Sequence, residues 1–253
     1  MQNNAIKQDI KKQYAKIALS GNSDCCCMPG ECGSDSSPAQ VARTLGYDSR
    51  ELESIPKASI LGVGCGAPLN FADIKEEEIV VDLGSGAGID VFLAANKVGK
   101  NGKVIGIDMT DEMLEKARKN AAEHGYSNVE FRKGDIEKRM PVDDNSVDLV
   151  ISNCVINLTT NKVDAFREVH RILKVGGRMV ISDLVTNKEV QPELANTEKW
   201  CSCIDGALTR ENYLESIKKA GFRNVEALSD RLYMDADQVD GRKITSLVIK
   251  AVK

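Results

Sequence analysis

Hydrophobic and polar positions change their period along the chain, and from residue 77 onward they settle into a regular alternation. Short apolar runs such as EEIVVDL and GKVIGID are each followed by a segment of helical periodicity, for example IDVFLAANKVG and TDEMLEKARKNAAEHG. Apolar runs of strand length that alternate with helices are typical of a parallel sheet covered on both faces. The pattern therefore predicts an α/β fold.

The segments before and after this alternation have a different character. Residues 1–20 are polar and helix-like, 21–38 form a Gly/Ser/Asp/Pro loop that holds four cysteines, and 39–76 are short-segmented. Residues 185–208 are predicted to be irregular, and a helix capped by Thr209 and two late strands then close the sheet. The chain is accordingly divided into an N-terminal extension, a core and a C-terminal acceptor-binding segment with the closing strands: 1–76, 77–184 and 185–253.

Charge and composition exclude some classes of function. The 253 residues carry a formal net charge of −4 without a long run of lysine or arginine, so the chain lacks the electrostatic footprint of a nucleic-acid-binding protein. No apolar stretch approaches the roughly 20 residues that a membrane span needs. The first 20 residues lack the apolar region of a secretory signal, so we expect a cytoplasmic protein whose cysteines are reduced.

A glycine-rich turn follows the first apolar run of the core, at residues 82–88 (DLGSGAG). Glycines allow the backbone to turn sharply and to approach a ligand closely. The dinucleotide fingerprint Gly-x-Gly-x-x-Gly, counted from Gly84, fails because its third glycine is replaced by Ile89. Asp82 precedes the turn and can help to hold a cationic amino acid group. Asp108 ends the next strand, where a carboxylate can bind both hydroxyls of an adenosine ribose.

This pattern resembles motif I of the class I, Rossmann-like methyltransferases, and three later features fit the same family. Residues 134–136 (GDI) follow the third strand, Asn153 ends the fourth, and residues 173–177 (LKVGG) are similar to the turn before the family's fifth strand. The resemblance implies S-adenosylmethionine as methyl donor and a mostly parallel sheet with an antiparallel last strand. The residues it assigns to the donor are Asp82, Gly84, Ser85, Gly86, Asp108, Met109, Asp135, Ile136 and Asn153.

Cysteines are the main candidates for the acceptor site. Cys154 stands at the carboxyl end of the fourth strand, where open α/β sheets bind their ligands. Cys201 and Cys203 are two residues apart, which is too close for the zinc-binding Cys-x-x-Cys spacing. Thiolates are good ligands for a soft atom, so these positions indicate a thiophilic acceptor.

The segments SNCVINL, CIDGAL and GCG, together with the N-terminal cysteine cluster, resemble the arsenite methyltransferases over nearly the whole chain. The resemblance implies that Cys154 and Cys203 bind trivalent arsenic, presented as arsenite or its thiol conjugate, and that Cys65 joins them in the thiol chemistry of the cycle. The arsenic lone pair can attack the donor methyl without a general base. Restoring trivalent arsenic afterwards consumes thiols, so a thiol reductant is expected, with thioredoxin as a candidate partner. Cys25 to Cys27 match the family's variable N-terminal cysteines.

Two other interpretations stay open. The chain could methylate carbon or oxygen in a small molecule such as a quinone, with incidental cysteines, although an aromatic content of 4% disfavours a wide apolar acceptor pocket. It could instead be a thiol-rich metal-binding module without enzymatic activity. Measuring zinc in the purified protein would separate that module from a methyltransferase.

Overall fold

The computed structural model describes residues 2–20, 37–191 and 194–253, and a single seven-stranded sheet runs through its centre. The strands, in chain order, are β1 (Ile79–Leu83), β2 (Lys103–Asp108), β3 (Val129–Lys133), β4 (Val147–Asn153), β5 (Leu173–Thr186), β6 (Arg223–Met234) and β7 (Ile244–Val252). Their order in space is β3-β2-β1-β4-β5-β7-β6. β1 to β5 are parallel, and β7 pairs antiparallel with both β5 and β6. This is the class I methyltransferase fold that the sequence predicts.

Helices cover both faces of the sheet. They are α1 (Gln2–Ser20), α2 (Pro38–Thr44), α3 (Ser49–Glu53), α4 (Ile89–Val98), α5 (Asp111–Glu123), α6 (Lys162–Ile172), α7 (Thr197–Cys201) and α8 (Arg210–Lys219). α4 and α5 pack on one face together with residues 38–72, whereas α6 and α8 pack on the other. None of the helices within the described ranges is long and apolar enough to cross a membrane.

Alternation along β1 sets which side chains meet on each face. Val80 packs into the core beneath α4, and its neighbour Val81 packs into the core beneath α6, as the two-residue period of a strand requires. Asp82 is two residues after Val80, so it lies on the same face of the sheet, and it is buried. A carboxylate on this face must therefore find its partners inside the protein.

The reversal of strand order at β1 creates the functional end of the sheet. The chain runs outward from β1 through β2 to β3, and then returns to place β4 on the other side of β1. Leu83 pairs with Ser152, so the carboxyl ends of β1 and β4 lie side by side. Ligands of open α/β sheets bind at such a switch point.

The flanking segments agree with the sequence in part. The helix predicted over residues 1–20 is confirmed as α1, and Thr209 caps α8 by accepting a hydrogen bond from the Asn212 backbone. The segment predicted to be irregular, 185–208, contains the short helix α7. The three-part division of the chain stays a prediction.

Candidate active site

A cleft of about 790 Å³ lies at the switch point. Seven of the nine residues predicted to bind the donor line it: Gly84, Gly86, Asp108, Met109, Asp135, Ile136 and Asn153. Cys154 lines the same cleft. So do Lys7, Ile10 and Tyr14 of α1, a helix that the sequence analysis had not connected with the site.

Each glycine of the turn meets a different requirement. Gly84, Gly86 and Gly88 have φ of 65°, 52° and 100°, in the region that favours glycine. A Cβ at Gly84 would lie 2.4 Å from a methyl carbon of Val155, and one at Gly88 would lie 2.7 Å from the Phe92 ring. At Gly86 the nearest atom would be the Met113 sulfur at 3.9 Å, so this glycine leaves space free in the cleft itself.

Asp108 ties the glycine turn to the end of β2. Its Oδ2 accepts the Gly86 N–H at 2.9 Å, and its Oδ1 accepts the Thr110 N–H at 2.8 Å. Burial raises the pKa of this carboxyl, although both backbone hydrogen bonds act in the opposite direction. Asp108 engages the Thr110 N–H at the start of α5, where the Thr110 side chain itself makes no capping bond.

Two residues predicted to bind the donor, Asp82 and Ser85, lie beneath the turn and do not line the cleft. A Cβ on Gly106 would be 2.7 Å from the Ser85 hydroxyl, which places that hydroxyl against β2. Burial raises the pKa of Asp82 well above its usual range, and the neighbouring charges of Asp90 and Asp108 add to this effect. Their roles toward the donor stay predictions.

An ion pair from α1 reaches Asp135, one of the residues predicted to bind the donor. Lys7 Nζ contacts the two carboxylate oxygens of Asp135 at 3.0 and 2.8 Å, and it also pairs with Glu137. The hydrogen bond from Lys7 lowers the pKa of Asp135 against the opposing effect of burial. α1 is thereby fixed across the cleft.

These features fit the predicted donor. Asp108, Asp135 and Glu137 line the cleft together with one lysine, Lys7, so the lining keeps a net acidic character that suits a cationic ligand. The space at Gly86, which a Cβ would fill, allows a ligand to approach the backbone closely.

Three thiols from separate stretches of the chain come together at one end of this cleft. Sulfur atoms of Cys65 and Cys154 and a carboxylate oxygen of Asp183 all lie within 4.8 Å of one another. The Cys203 thiol donates to the Cys154 carbonyl oxygen at 2.8 Å and contacts the Cys154 side chain. The structure therefore brings together the three cysteines predicted to handle arsenic, and Cys154 connects them with the cleft.

Two of these thiols, Cys154 and Cys203, have raised pKa values. Hydrogen bonds with Cys203 and Cys65, followed by burial, raise the pKa of Cys154 well above its usual range. Burial is the main reason why the pKa of Cys203 is raised as well. A thiophilic substrate that binds Cys154 and Cys203 must therefore displace the protons of these two thiols.

Asp183, on β5, is a member of the cluster that the sequence analysis missed. Its Oδ2 accepts bonds from the Tyr213 hydroxyl at 3.0 Å and the Asn157 backbone at 3.1 Å. Burial raises the pKa of Asp183 to about 6 and lowers that of nearby Lys162 to about 8. The signal was present in the sequence, because an acid in the strand next to Cys154 falls at the ligand-binding end of the sheet.

The remaining cysteines divide into two groups. Cys201 is buried in the same apolar cluster as the three thiols, and its carbonyl oxygen accepts the Tyr14 hydroxyl at 3.3 Å. Cys25, Cys26, Cys27 and Cys32 lie outside the described residues.

Comparisons with known proteins define the class. The family described as "Methyltransferase domain" matches residues 74–221, which is more than half of the chain. An arsenite methyltransferase of Halobacterium salinarum is 40% identical over 98% of this chain and 66% of its own length. One of Aquipseudomonas alcaligenes is 32% identical over 94% of this chain and 68% of its own. The chain thus spans about two thirds of the length of both relatives.

A solved structure agrees with these relatives. The crystal structure of an arsenic(III) S-adenosylmethionine methyltransferase from Chlamydomonas reinhardtii matches with a TM-score of 0.66 and 31% identity, over 84% of this chain and 73% of that one. The fold and the glycine-turn cleft define a class I methyltransferase domain. Within that class, the chain belongs to the arsenite methyltransferase family.

Proposed function

We propose that this protein transfers a methyl group from S-adenosylmethionine to trivalent arsenic bound by Cys65, Cys154 and Cys203. The observation that carries the proposal is that the three-thiol cluster opens onto the donor cleft through Cys154. Such a cluster suits a soft acceptor and has no evident use for carbon or oxygen. The names of the relatives support the same acceptor.

Binding of arsenite is a ligand exchange at the cluster. Each cysteine forms one S–As bond and loses its thiol proton, and each proton leaves with an arsenic hydroxide as water. The raised pKa of Cys154 is compatible with this route, since free thiolates do not have to accumulate before the substrate arrives. Three S–As bonds leave one lone pair on arsenic.

The methyl transfer needs positioning more than proton chemistry. S-adenosylmethionine, when bound, supplies a methyl group on a cationic sulfur and leaves as neutral S-adenosylhomocysteine. Both electrons of the new As–C bond come from the arsenic lone pair, so no side chain has to remove a proton. Correct alignment of two bound reactants can supply about 7–11 kcal/mol of the barrier. The cysteines contribute by fixing arsenic beside the cleft.

A reductive step completes the cycle. Methyl transfer leaves arsenic pentavalent with three S–As bonds. When two of these bonds break and their sulfurs couple as a disulfide, two electrons remain on arsenic as a lone pair and restore its trivalent state. Water then takes a vacated position on arsenic and loses a proton. Cys65 and Cys154 are suitable partners because their sulfur atoms already lie within 4.8 Å. An external dithiol, with thioredoxin as the candidate, then reduces the disulfide by exchange.

The proposal is tested with arsenite, a thiol and donor labelled in its methyl group, followed by separation of the arsenic species. Wild-type protein is expected to yield labelled methylarsenicals. Cys154→Ser should still bind the donor, measured by calorimetry, but should transfer no label. Cys201→Ser is the matched control, since it removes a buried thiol of the same apolar cluster and should retain transfer.

Two results would contradict the proposal. One is a wild-type protein that binds the donor and leaves arsenite unmodified. The other is a Cys154→Ser variant that methylates arsenite at the wild-type rate, which would disconnect the cluster from the reaction.

A further inference from the structure

The amide of Asn153 is surrounded by the loop that carries Cys65. Its Oδ1 accepts the Cys65 backbone N–H at 3.0 Å and the Cys65 thiol at 3.8 Å. Its Nδ2 donates to the Gly66 carbonyl oxygen at 2.7 Å and to the Tyr47 hydroxyl at 2.9 Å. Cys65 and Gly66 are thus held by the side chain of Asn153, the residue directly before Cys154.

This arrangement uses the full bonding capacity of the amide. A carboxamide has two N–H donors and an oxygen with two lone pairs, and all four positions of Asn153 are occupied by protein groups. No N–H is left for a ligand in the cleft. We propose that Asn153 is a positioning residue that holds the Cys65 thiol in the arsenic site; the inference rests on the proposed function.

Close packing around the loop supports this role. A Cβ at Gly64 would lie 2.8 Å from Asn153 Nδ2, and one at Gly66 would lie 2.3 Å from the Ser182 hydroxyl oxygen. The loop can therefore lie this close to Asn153 and Ser182 only because glycine flanks Cys65 on both sides. On the opposite side, the Ser246 hydroxyl donates to the Cys65 carbonyl oxygen at 2.7 Å.

A buried chain of hydrogen bonds fixes the amide itself. The Tyr47 hydroxyl, which accepts from Asn153, donates to both carboxylate oxygens of Asp90 at 2.9 Å. Tyr47 and Asp90 are both buried, so water cannot readily replace these partners. The orientation of Asn153 is thereby set from α4, away from the thiols.

Two arsenic compounds that bond to different numbers of thiols can distinguish the loss of Cys65 from the loss of Cys154 or Cys203. Arsenite has three exchangeable hydroxides and can bond to three cysteines, whereas phenylarsonous acid has one As–C bond and can bond to two. A protein whose Cys65 is no longer held should keep its affinity for phenylarsonous acid through Cys154 and Cys203. Its affinity for arsenite should fall, because an additional intramolecular bond can raise affinity by roughly 10²-fold or more.

The experiment measures binding of both arsenicals to the full chain, in the absence of donor, for wild type and Asn153→Ala. Arsenite affinity is expected to fall about 100-fold in the variant, while phenylarsonous acid affinity stays within about threefold of wild type. X-ray absorption at the arsenic edge should count three sulfur neighbours in wild type and two in the variant. Tyr47→Phe removes one of the four bonds and should give a smaller change in the same direction.

Asn120→Ala is the control for general loosening. Asn120 is a buried asparagine whose amide donates to the Ala87 carbonyl oxygen, and it has no bond to the Cys65 loop. The Asn120→Ala variant should have the same ratio of arsenite affinity to phenylarsonous acid affinity as wild type. If Asn153→Ala does not fold, Ser246→Ala tests the same anchoring of Cys65 from the other side.

The proposal is overturned if Asn153→Ala retains three sulfur neighbours, if both arsenicals lose affinity to the same extent, or if Asn120→Ala shows the same selective loss. These results do not depend on turnover. A wild-type protein that binds arsenite through three sulfurs yet transfers no methyl group would instead overturn the proposed function.

Discussion

Cys154 and Cys203 share an uncommon backbone conformation and contact each other. Their φ angles are 59° and 63°, and the Cys203 thiol donates to the Cys154 carbonyl oxygen at 2.8 Å. A left-handed conformation costs a residue with a Cβ roughly 1–2 kcal/mol, and such residues gather at functional sites. Two of them in one contact indicate that the surrounding structure holds the backbone in a form that directs both thiols into the cluster.

Glycine at position 154 should relieve this cost. Cys154→Gly is expected to have a free energy of unfolding about 1 kcal/mol higher than Cys154→Ala, because glycine adopts positive φ without strain. Urea-induced unfolding without arsenite measures the difference. Both variants lack the thiol and should fail to methylate arsenite, so stability and activity would change independently.

The same pair of substitutions at Cys65 is the control. Cys65 is also buried but does not have positive φ, so alanine should be the more stable replacement there. A glycine advantage of equal size at both positions would show that the effect at Cys154 does not come from its backbone conformation.

Gly84 and Gly86 should respond differently to alanine. A Cβ at Gly84 would collide with Val155, so Gly84→Ala should lower the free energy of unfolding by about 1–3 kcal/mol beyond the backbone cost. Gly86 has no such neighbour, and its Cβ would enter the cleft. Gly86→Ala should therefore reduce donor affinity, measured by calorimetry, more than it reduces stability.

Val155→Ala provides the check on this explanation. The double variant with Gly84→Ala should recover part of the lost stability, because the two methyl groups that collide with the new Cβ are removed. If the stability losses of Gly84→Ala and Val155→Ala simply add in the double variant, the contact with Val155 is not the cause of the destabilisation by Gly84→Ala.

The sequence was sufficient for the fold and for most of the cleft, because both depend on local patterns. Strand and helix periods and the glycine turn are readable over short windows, and strand ends that bear Asp108 or Asn153 fall at one edge of a parallel sheet. The pairing of Lys7 with Asp135 spans 128 residues and has no local signature. The position of Asp82 beneath the turn depends on which face of β1 is covered, and the turn motif does not encode that.

The amide of Asn153 shows the same limit. Its place at the end of β4 was readable from the sequence and suggested a donor ligand. Its partners, Cys65, Gly66 and Tyr47, come from a segment without regular periodicity, and only their arrangement in space indicates an anchoring role.

Asp90 should make stability depend on pH near neutrality. Burial raises its pKa to about 7, against the hydrogen bond from Tyr47 and the influence of the nearby Asn153 amide. Between pH values near 4, the ordinary pKa of an aspartate, and about 7, Asp90 in the folded protein retains a proton that the unfolded chain has released. This group therefore makes the free energy of unfolding fall as pH rises through that window. Above pH of about 7 it adds no further change. Asp90→Asn should flatten this decline, as measured by urea unfolding from pH 4.5 to 8, whereas the exposed Asp237→Asn should leave it unchanged. If the free energy of unfolding falls with pH as steeply in Asp90→Asn as in wild type, the pKa of Asp90 is not raised in the folded protein.

Cys65 should also act after the methyl group has moved. Because its sulfur lies within 4.8 Å of that of Cys154, Cys65→Ser removes the partner for a disulfide and should leave pentavalent methylarsenical unreduced. We expect the variant to release a higher ratio of pentavalent to trivalent product than wild type, measured by chromatography with element-specific detection under limiting reductant. A large excess of a small dithiol should restore the wild-type ratio, since it replaces the missing thiol. An unchanged ratio in Cys65→Ser under limiting reductant would assign the electrons to another source and confine Cys65 to arsenic binding.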